Sequence, residues 1–173
     1  MLSGRNIALT EIRAGDSATL FAWINTPELV RLGAAFKPVH AASHDEWFDS
    51  IRNDPKRVAF AIRALPGGDL FGLIQLVDVN PIHRSAEVVL RIGDPARRGK
   101  GHGTEAIGLL LDHAWRDLGL HRVAVRAFAS NAPALAAYRK AGFTVEGTLR
   151  EAAFIDGRFV DVVIMAILAP SPA

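Results

Sequence analysis

Arg98-Gly99-Lys100-Gly101-His102-Gly103-Thr104-Glu105-Ala106 is the stretch on which the fold turns. Residues 86–92 before it have the composition of a strand. After it, from Thr104 to Leu118, the apolar residues Ile107, Leu110, Leu111, Ala114, Trp115 and Leu118 stand at offsets of three, four, seven, eight and eleven, which is one face of a helix. A glycine-rich turn between a strand and a strongly amphipathic helix suits an anion. The first N–H groups of a helix lack intrahelical acceptors and the helix dipole favours negative charge there. Glycines remove the side chains that would hold a diphosphate away from the main chain. Arg97, Arg98 and Lys100 form a single tight basic knot, suited to a few phosphates rather than to the basic stripe of a nucleic-acid binder.

Three phosphate sites compete for this segment. A Walker A loop needs four residues between its first glycine and Gly-Lys, then Ser or Thr; here five residues separate Gly93 from Gly99-Lys100, and Gly101 follows. Gly101-His102-Gly103-Thr104-Glu105-Ala106 does satisfy Gly-x-Gly-x-x-Ala, the dinucleotide fingerprint. Yet the next strand ends at Phe128-Ala129-Ser130 with no acidic residue for a ribose, and the preceding chain is a strand meander instead of a βαβ start. The third reading, coenzyme A, is what the resemblance of this segment to a known family implies.

Outward from the turn, the chain alternates strand and helix signals. Residues 6–12 are strand-like, and Asp16 is placed to cap a helix carrying Leu20, Trp23 and Ile24. Thr26-Pro27 opens a short helix. Ser43-His44-Asp45-Glu46 has capping-box spacing ahead of Trp47, Phe48 and Ile51. Residues 58–65, 70–79 and 86–92 are strands, the first two joined by the turn Pro66-Gly67-Gly68-Asp69. Gly119 closes the long helix, 122–128 is a strand, Asn131 caps a helix ended by Gly142, and Ile155-Asp156-Gly157-Arg158 signals a hairpin. No repeat or linker interrupts residues 1–173, so one α/β (α+β) domain is expected, with a mixed, mostly antiparallel central sheet flanked by helices.

Composition narrows the classes further. The net charge is +2, half the residues are hydrophobic and no apolar run nears the length of a membrane span. With no cysteine, disulfides, thiolate metal sites and cysteine nucleophiles are excluded. Six histidines are present, but none falls in His-Glu-x-x-His, and Ser43 as a cap would keep His40 and His44 off a common face; no metal is expected. The Met1-Leu2-Ser3-Gly4-Arg5 start carries no secretory apolar run, which suits a cytoplasmic location. No nucleic-acid or membrane partner is expected, and a homodimer is compatible with the chain.

The turn at 98–103 resembles the Arg/Gln-x-x-Gly-x-Gly/Ala motif of the GNAT superfamily of N-acetyltransferases. Asn131-Ala132-Pro133-Ala134-Leu135-Ala136-Ala137-Tyr138-Arg139-Lys140-Ala141-Gly142-Phe143 is similar to that family's second motif. Both occur in order, separated by a helix and a strand. Trp23-Ile24-Asn25-Thr26-Pro27-Glu28 and Glu146-Gly147-Thr148-Leu149-Arg150-Glu151 resemble the subgroup holding ribosomal-protein and spermidine acetyltransferases, whose acceptors also include amino acids and antibiotics.

That resemblance implies acetyl-CoA as co-substrate and a primary amine, on a small molecule or a protein N-terminus, as acceptor. It implies cofactor contacts from Arg91, Ile92, Gly93, Arg98, Gly99, Lys100, Gly101, His102, Gly103, Thr104, Asn131 and Lys140. The strands on either side of the long helix would splay to admit the pantetheine arm, and strand 86–93 would lend an N–H to the thioester carbonyl. Tyr138 would be the general acid, although a tyrosine on an apolar helix face also suits core packing. Glu87 would be the general base, with a water relay as its rival. Trp23, Phe36 and Trp47 suit either an acceptor pocket or the core, and segments 25–40 and 150–158 are the expected acceptor-binding stretches. The alternative function on the same fold is a non-catalytic acyl-CoA sensor.

Overall fold

The computed structural model describes residues 1–33, 37–51 and 53–170. Its strands are Leu2–Ser3 (β1), Ile7–Thr10 (β2), Val58–Ala64 (β3), Leu70–Asn80 (β4), Ser85–Ile92 (β5), Arg122–Phe128 (β6), Thr144–Ile155 (β7) and Arg158–Leu168 (β8). Its helices are Ser17–Ile24 (α1), Pro27–Gly33 (α2), Ala41–Ser50 (α3), His102–Arg116 (α4) and Ala132–Lys140 (α5). The strands make one eight-stranded sheet in the order β1-β2-β3-β4-β5-β6-β8-β7. Every neighbouring pair is antiparallel except β5 with β6. Among the described residues no helix is long and apolar enough to cross a membrane.

Alternation within the strands supplies two apolar faces. Ile74, Leu76, Val88, Val123 and Val125 join Ile107, Leu110 and Ala114 of α4 in the core, nearly all of them fully buried. Burial of this kind contributes roughly 1.5–3 kcal/mol per large aliphatic side chain and fixes α4 across one face of the sheet. The opposite face, carrying Leu73, Gln75, Val89 and Arg91, is crossed by α1 and α3. One polar staple holds that layer. Arg63 donates to both carboxylate oxygens of Asp16, at 2.7 and 2.9 Å, and to Thr10 Oγ1 at 3.0 Å, with both charged side chains buried. Removing one partner of such a buried pair typically costs about 3–5 kcal/mol.

Two expected caps are corrected by this packing. Asp16 makes no side-chain cap to α1; its carboxylate accepts from the Arg13 N–H at 2.7 Å and is otherwise taken by Arg63. Ser43 is not the cap of α3, which begins at Ala41 after His40. The cause is Asn25, whose side chain donates to Val39 O at 3.0 Å and accepts from Val39 N–H at 2.9 Å, fixing the chain so that the helix starts earlier. His40 and His44 are consequently one turn apart, with the His44 N–H on His40 O at 3.0 Å. His44 is nevertheless committed to Ser17, its Nε2 lying 3.1 Å from both Ser17 Oγ and Ser17 O. Among the described residues no cluster of three His, Asp or Glu side chains could hold a metal.

Other local expectations agree with the structure. Gly119 and Gly142 take positive φ at the ends of their helices, Asn131 caps α5 through Ala134 N–H, and Asp156-Gly157 forms the hairpin turn with φ of 49° and 76°.

Candidate active site

The site follows from one defect in the sheet. β5 and β6 pair in parallel over Ser85–Glu87 with Arg122, Val123 and Ala124, and then part. Val88 to Ile92 runs on without β6, a stretch of about 16 Å at strand rise. One edge of this stretch still pairs with β4, so its other backbone groups face the gap. Sequence alone does not show where this pairing stops; both strands look regular.

At one end of the gap lies the glycine turn. Gly99 and Gly101 take φ of 71° and 84°, and a Cβ at either would meet only open space. Gly101 is the N-cap of α4, and the first intrahelical bond is from Glu105 N–H to Gly101 O at 3.0 Å. The preceding N–H groups therefore have no helical acceptor. Glu105 holds the turn from behind, accepting from Arg5 N–H, Asn6 N–H and Asn6 Nδ2 at 2.6, 2.8 and 3.0 Å.

The cleft spreading from this turn, about 380 Å³, is lined by nine of the expected cofactor residues: Arg91, Ile92, Arg98, Gly99, Gly101, Gly103, Thr104, Asn131 and Lys140. Gly93, Lys100 and His102 are not on its wall. The Gly93 Cα is covered by the Trp23 ring, where a Cβ would come within 2.0 Å of the indole. The His102 ring turns onto Phe71, 5.3 Å between centroids, and its buried Nδ1 has no hydrogen-bond partner. Arg98 also departs from the simple role of a charge for phosphate. It donates to Ile92 O at 3.1 Å and Gly93 O at 3.2 Å and pairs with Glu28, clamping the turn to β5 and α2. Both ends of the Asn131 amide are likewise engaged, one with Ala134 N–H and the other with Leu32 O at 2.9 Å. α2 thereby brings Leu29 and Leu32 to the cleft, a contribution with no local sequence signal.

Tyr138 and Glu87 line a common mouth where the β5/β6 pairing ends. Tyr138 lines both this cleft and an adjoining mouth that Glu87, Arg126 and Phe128 complete. The tyrosine is buried against Phe143, 5.6 Å between ring centroids, which satisfies the core-packing reading. It is also on the cleft wall, so packing leaves it facing the cleft. Burial pushes its pKa up to about 12, and the nearby Glu87 charge acts in the same direction. The Glu87 carboxyl is itself raised above 4.5 by burial, an effect that the Arg126 guanidinium 3.5 Å away opposes and Asp78 reinforces. Arg126 was invisible as a site residue in the sequence, since strand register alone brings it beside Glu87.

A second cavity, about 350 Å³, opens on the α1–α3 side of the sheet. Leu20, Trp23, Ile24, Val39, Ser43, His44, Trp47, Leu73, Gln75, Val89 and Arg91 line it. Val89 and Arg91 belong to both cavities. Trp23 and Trp47 thus line a cavity together, while Phe36 lies outside the described residues. Among the described residues segment 25–40 contributes only Val39 to this wall, and segment 150–158 gives Ala152 and Ala153 to the mouth beside Glu87 instead.

A sheet opened at one parallel pair, with a helix N-terminus and a glycine turn at the opening, defines an acyltransferase-type cleft. Residues 6–144 match the acetyltransferase (GNAT) domain family, and the chain belongs to it. Spermidine N(1)-acetyltransferase of Vibrio cholerae is 40% identical over 100 residues, 58% of this chain and 57% of that protein. The Escherichia coli K12 enzyme of the same name is 37% identical over 120 residues, 69% and 63% of the two chains. The matched regions thus span about three fifths of these relatives' lengths. The crystal structure of the V. cholerae spermidine N-acetyltransferase in complex with CoA and spermine superposes with a TM-score of 0.85 at 29% identity, covering 94% of this chain and 95% of that one.

Proposed function

We propose that this protein transfers an acetyl group from acetyl-CoA directly to a primary amine. The observation that carries the proposal is the parting of β5 from β6, beside which lie a main-chain anion cradle, the mouth lined by Glu87 and Tyr138, and a second cavity that shares Val89 and Arg91 with the cleft. The residues present fit coenzyme A: two open glycines of positive φ, a free helix N-terminus, and Lys140 and Arg97 on the wall. When bound, acetyl-CoA supplies the activated acyl thioester.

Each protein group has a definable task. Glu87, its pKa raised by burial, is in its ionised form a stronger base than an ordinary carboxylate and takes a proton from the incoming ammonium directly or through water. The backbone groups of β5 that face the gap are positioned to stabilise an oxyanion without reorganising. Tyr138 Oη keeps its proton in the resting site, because its pKa is about 12. Complete transfer from so weak an acid before bond cleavage is uphill against a thiolate of ordinary basicity. Tyr138 therefore acts as a hydrogen-bond donor whose proton moves only as the C–S bond breaks.

With no cysteine in the chain, the expected route is a ternary complex. Initial rates with acetyl-CoA and a panel of amino acids, polyamines, aminoglycosides and peptide N-termini test the proposal. Intersecting-line kinetics with an accepted amine is the expected result. Binding of coenzyme A without turnover of any amine, or a competent acetyl-protein formed with acetyl-CoA alone, contradicts it.

A further inference from the structure

Arg91 is a charged side chain in a half-buried position, and among the described residues it makes no hydrogen bond or ion pair. The other arginines near the site are committed: Arg98 to Glu28 and two carbonyls, Arg126 to Glu87, and Arg57 to Asp54 and Gln75. Burial alone lowers the Arg91 pKa, with no carboxylate close enough to counter it. An unpaired guanidinium withdrawn from water is costly unless an anion joins it.

The surroundings identify what kind of anion. Arg91 shares the 350 Å³ cavity with Trp23, Ile24, Val39, Trp47 and Leu73, and no Asp or Glu is on its wall. None of the residues outside the described set is acidic either. Such a chamber opposes a polycation, whose further ammonium groups would find a fixed positive charge and no carboxylate to pair with. Strand alternation puts Glu87, Val89 and Arg91 on one face of β5, successive members about 7 Å apart. An amine held beside Val89, between the Glu87 mouth and the cavity, thus leaves a nearby carboxylate within reach of the Arg91 guanidinium.

We infer that the acceptor is a small amino acid-type molecule, an amine bearing its own carboxylate and an apolar side chain, with Arg91 binding the carboxylate. A planar guanidinium matches a carboxylate bidentately, which gives orientation as well as charge. This inference rests on the acetyltransferase proposal and narrows its acceptor.

The test compares apolar amino acids such as leucine, methionine and tryptophan with their amides, which keep the amine and lose the carboxylate, and with spermidine. The wild-type protein is expected to favour acid over amide at least tenfold in kcat/KM, and to bind the acid more tightly in the presence of coenzyme A. In Arg91→Gln the acid-to-amide ratio falls to about one, while Arg91→Lys keeps part of the preference. Amides or spermidine turned over as well as the acids overturn the inference but leave the acetyltransferase proposal standing. A loss of acetyl-CoA affinity in Arg91→Gln with the ratio unchanged also overturns it, making Arg91 a cofactor residue. No turnover of any amine, with acid and amide bound equally, overturns both.

Discussion

The two ends of the β5/β6 gap are made of different material. At the α4 end the wall includes a stretch of main chain, supplied by consecutive residues of the glycine turn ahead of the helix. At the α1–α3 end the wall is side chain, drawn from α1, α3, β4, β5 and the segment before α3. A main-chain cradle recognises a group common to every reaction cycle and tolerates variation in its side chains. A chamber of side chains can be re-specified one residue at a time. Under the proposed function the first end takes the cofactor and the second the acceptor, so specificity for the amine is expected to lie in side chains.

The largest effect that sharpens this contrast is expected at the junction. Tyr138→Phe keeps the ring that packs on Phe143 and deletes only the donor. A positioned acid is typically worth ~10²–10⁴ in rate, so turnover is expected to fall at least tenfold with melting temperature and acetyl-CoA affinity nearly unchanged. Wild-type turnover, with chemistry shown to be rate-limiting, would reduce Tyr138 to a packing residue.

A loss of binding, not of turnover alone, is expected at the main-chain end. Gly101 has φ of 84°, a conformation that a β-branched residue resists, although its Cβ would meet no neighbour. Gly101→Val should weaken coenzyme A binding at least tenfold in calorimetry while the protein remains folded. Full affinity in that variant would break the contrast, since the turn would then not be the cradle.

The same division explains what was legible in the sequence. The turn, α4, the Asn131 cap and the Asp156-Gly157 hairpin depend on neighbours in the chain, so their residues could be read in place. Ser43 was misleading because Asn25, eighteen positions earlier, fixes Val39 and moves the helix start to Ala41. Asp16 was misread for a similar reason, its partner Arg63 lying on a distant strand. Arg98 looked like a phosphate ligand by charge, but the carbonyls of Ile92 and Gly93 fold back within its reach. At the acceptor end, the absence of a partner for Arg91 is a property of five packed elements and has no local signature.

The smallest effect concerns proton balance at Glu87, the point where the two ends meet. Glu87 must be ionised to accept a proton, and burial has raised its pKa above 4.5. Activity should therefore fall with decreasing pH at a midpoint above that of an ordinary carboxylate, and Glu87→Gln should remove this limb. Because the folded pKa is raised, ionising Glu87 costs stability as pH rises through that value, so Glu87→Gln should not lower the melting temperature at neutral pH. Arg126, 3.5 Å from Glu87 and largely exposed, opposes the rise. Solvent screens such a pair, and its removal in Arg126→Ala should move the limb only slightly, toward higher pH. Tyr138, with a pKa of about 12, contributes no alkaline limb, since it stays protonated at pH ~10. A limb unmoved in Arg126→Ala and still present in Glu87→Gln would assign the proton to a water relay that does not pass through Glu87.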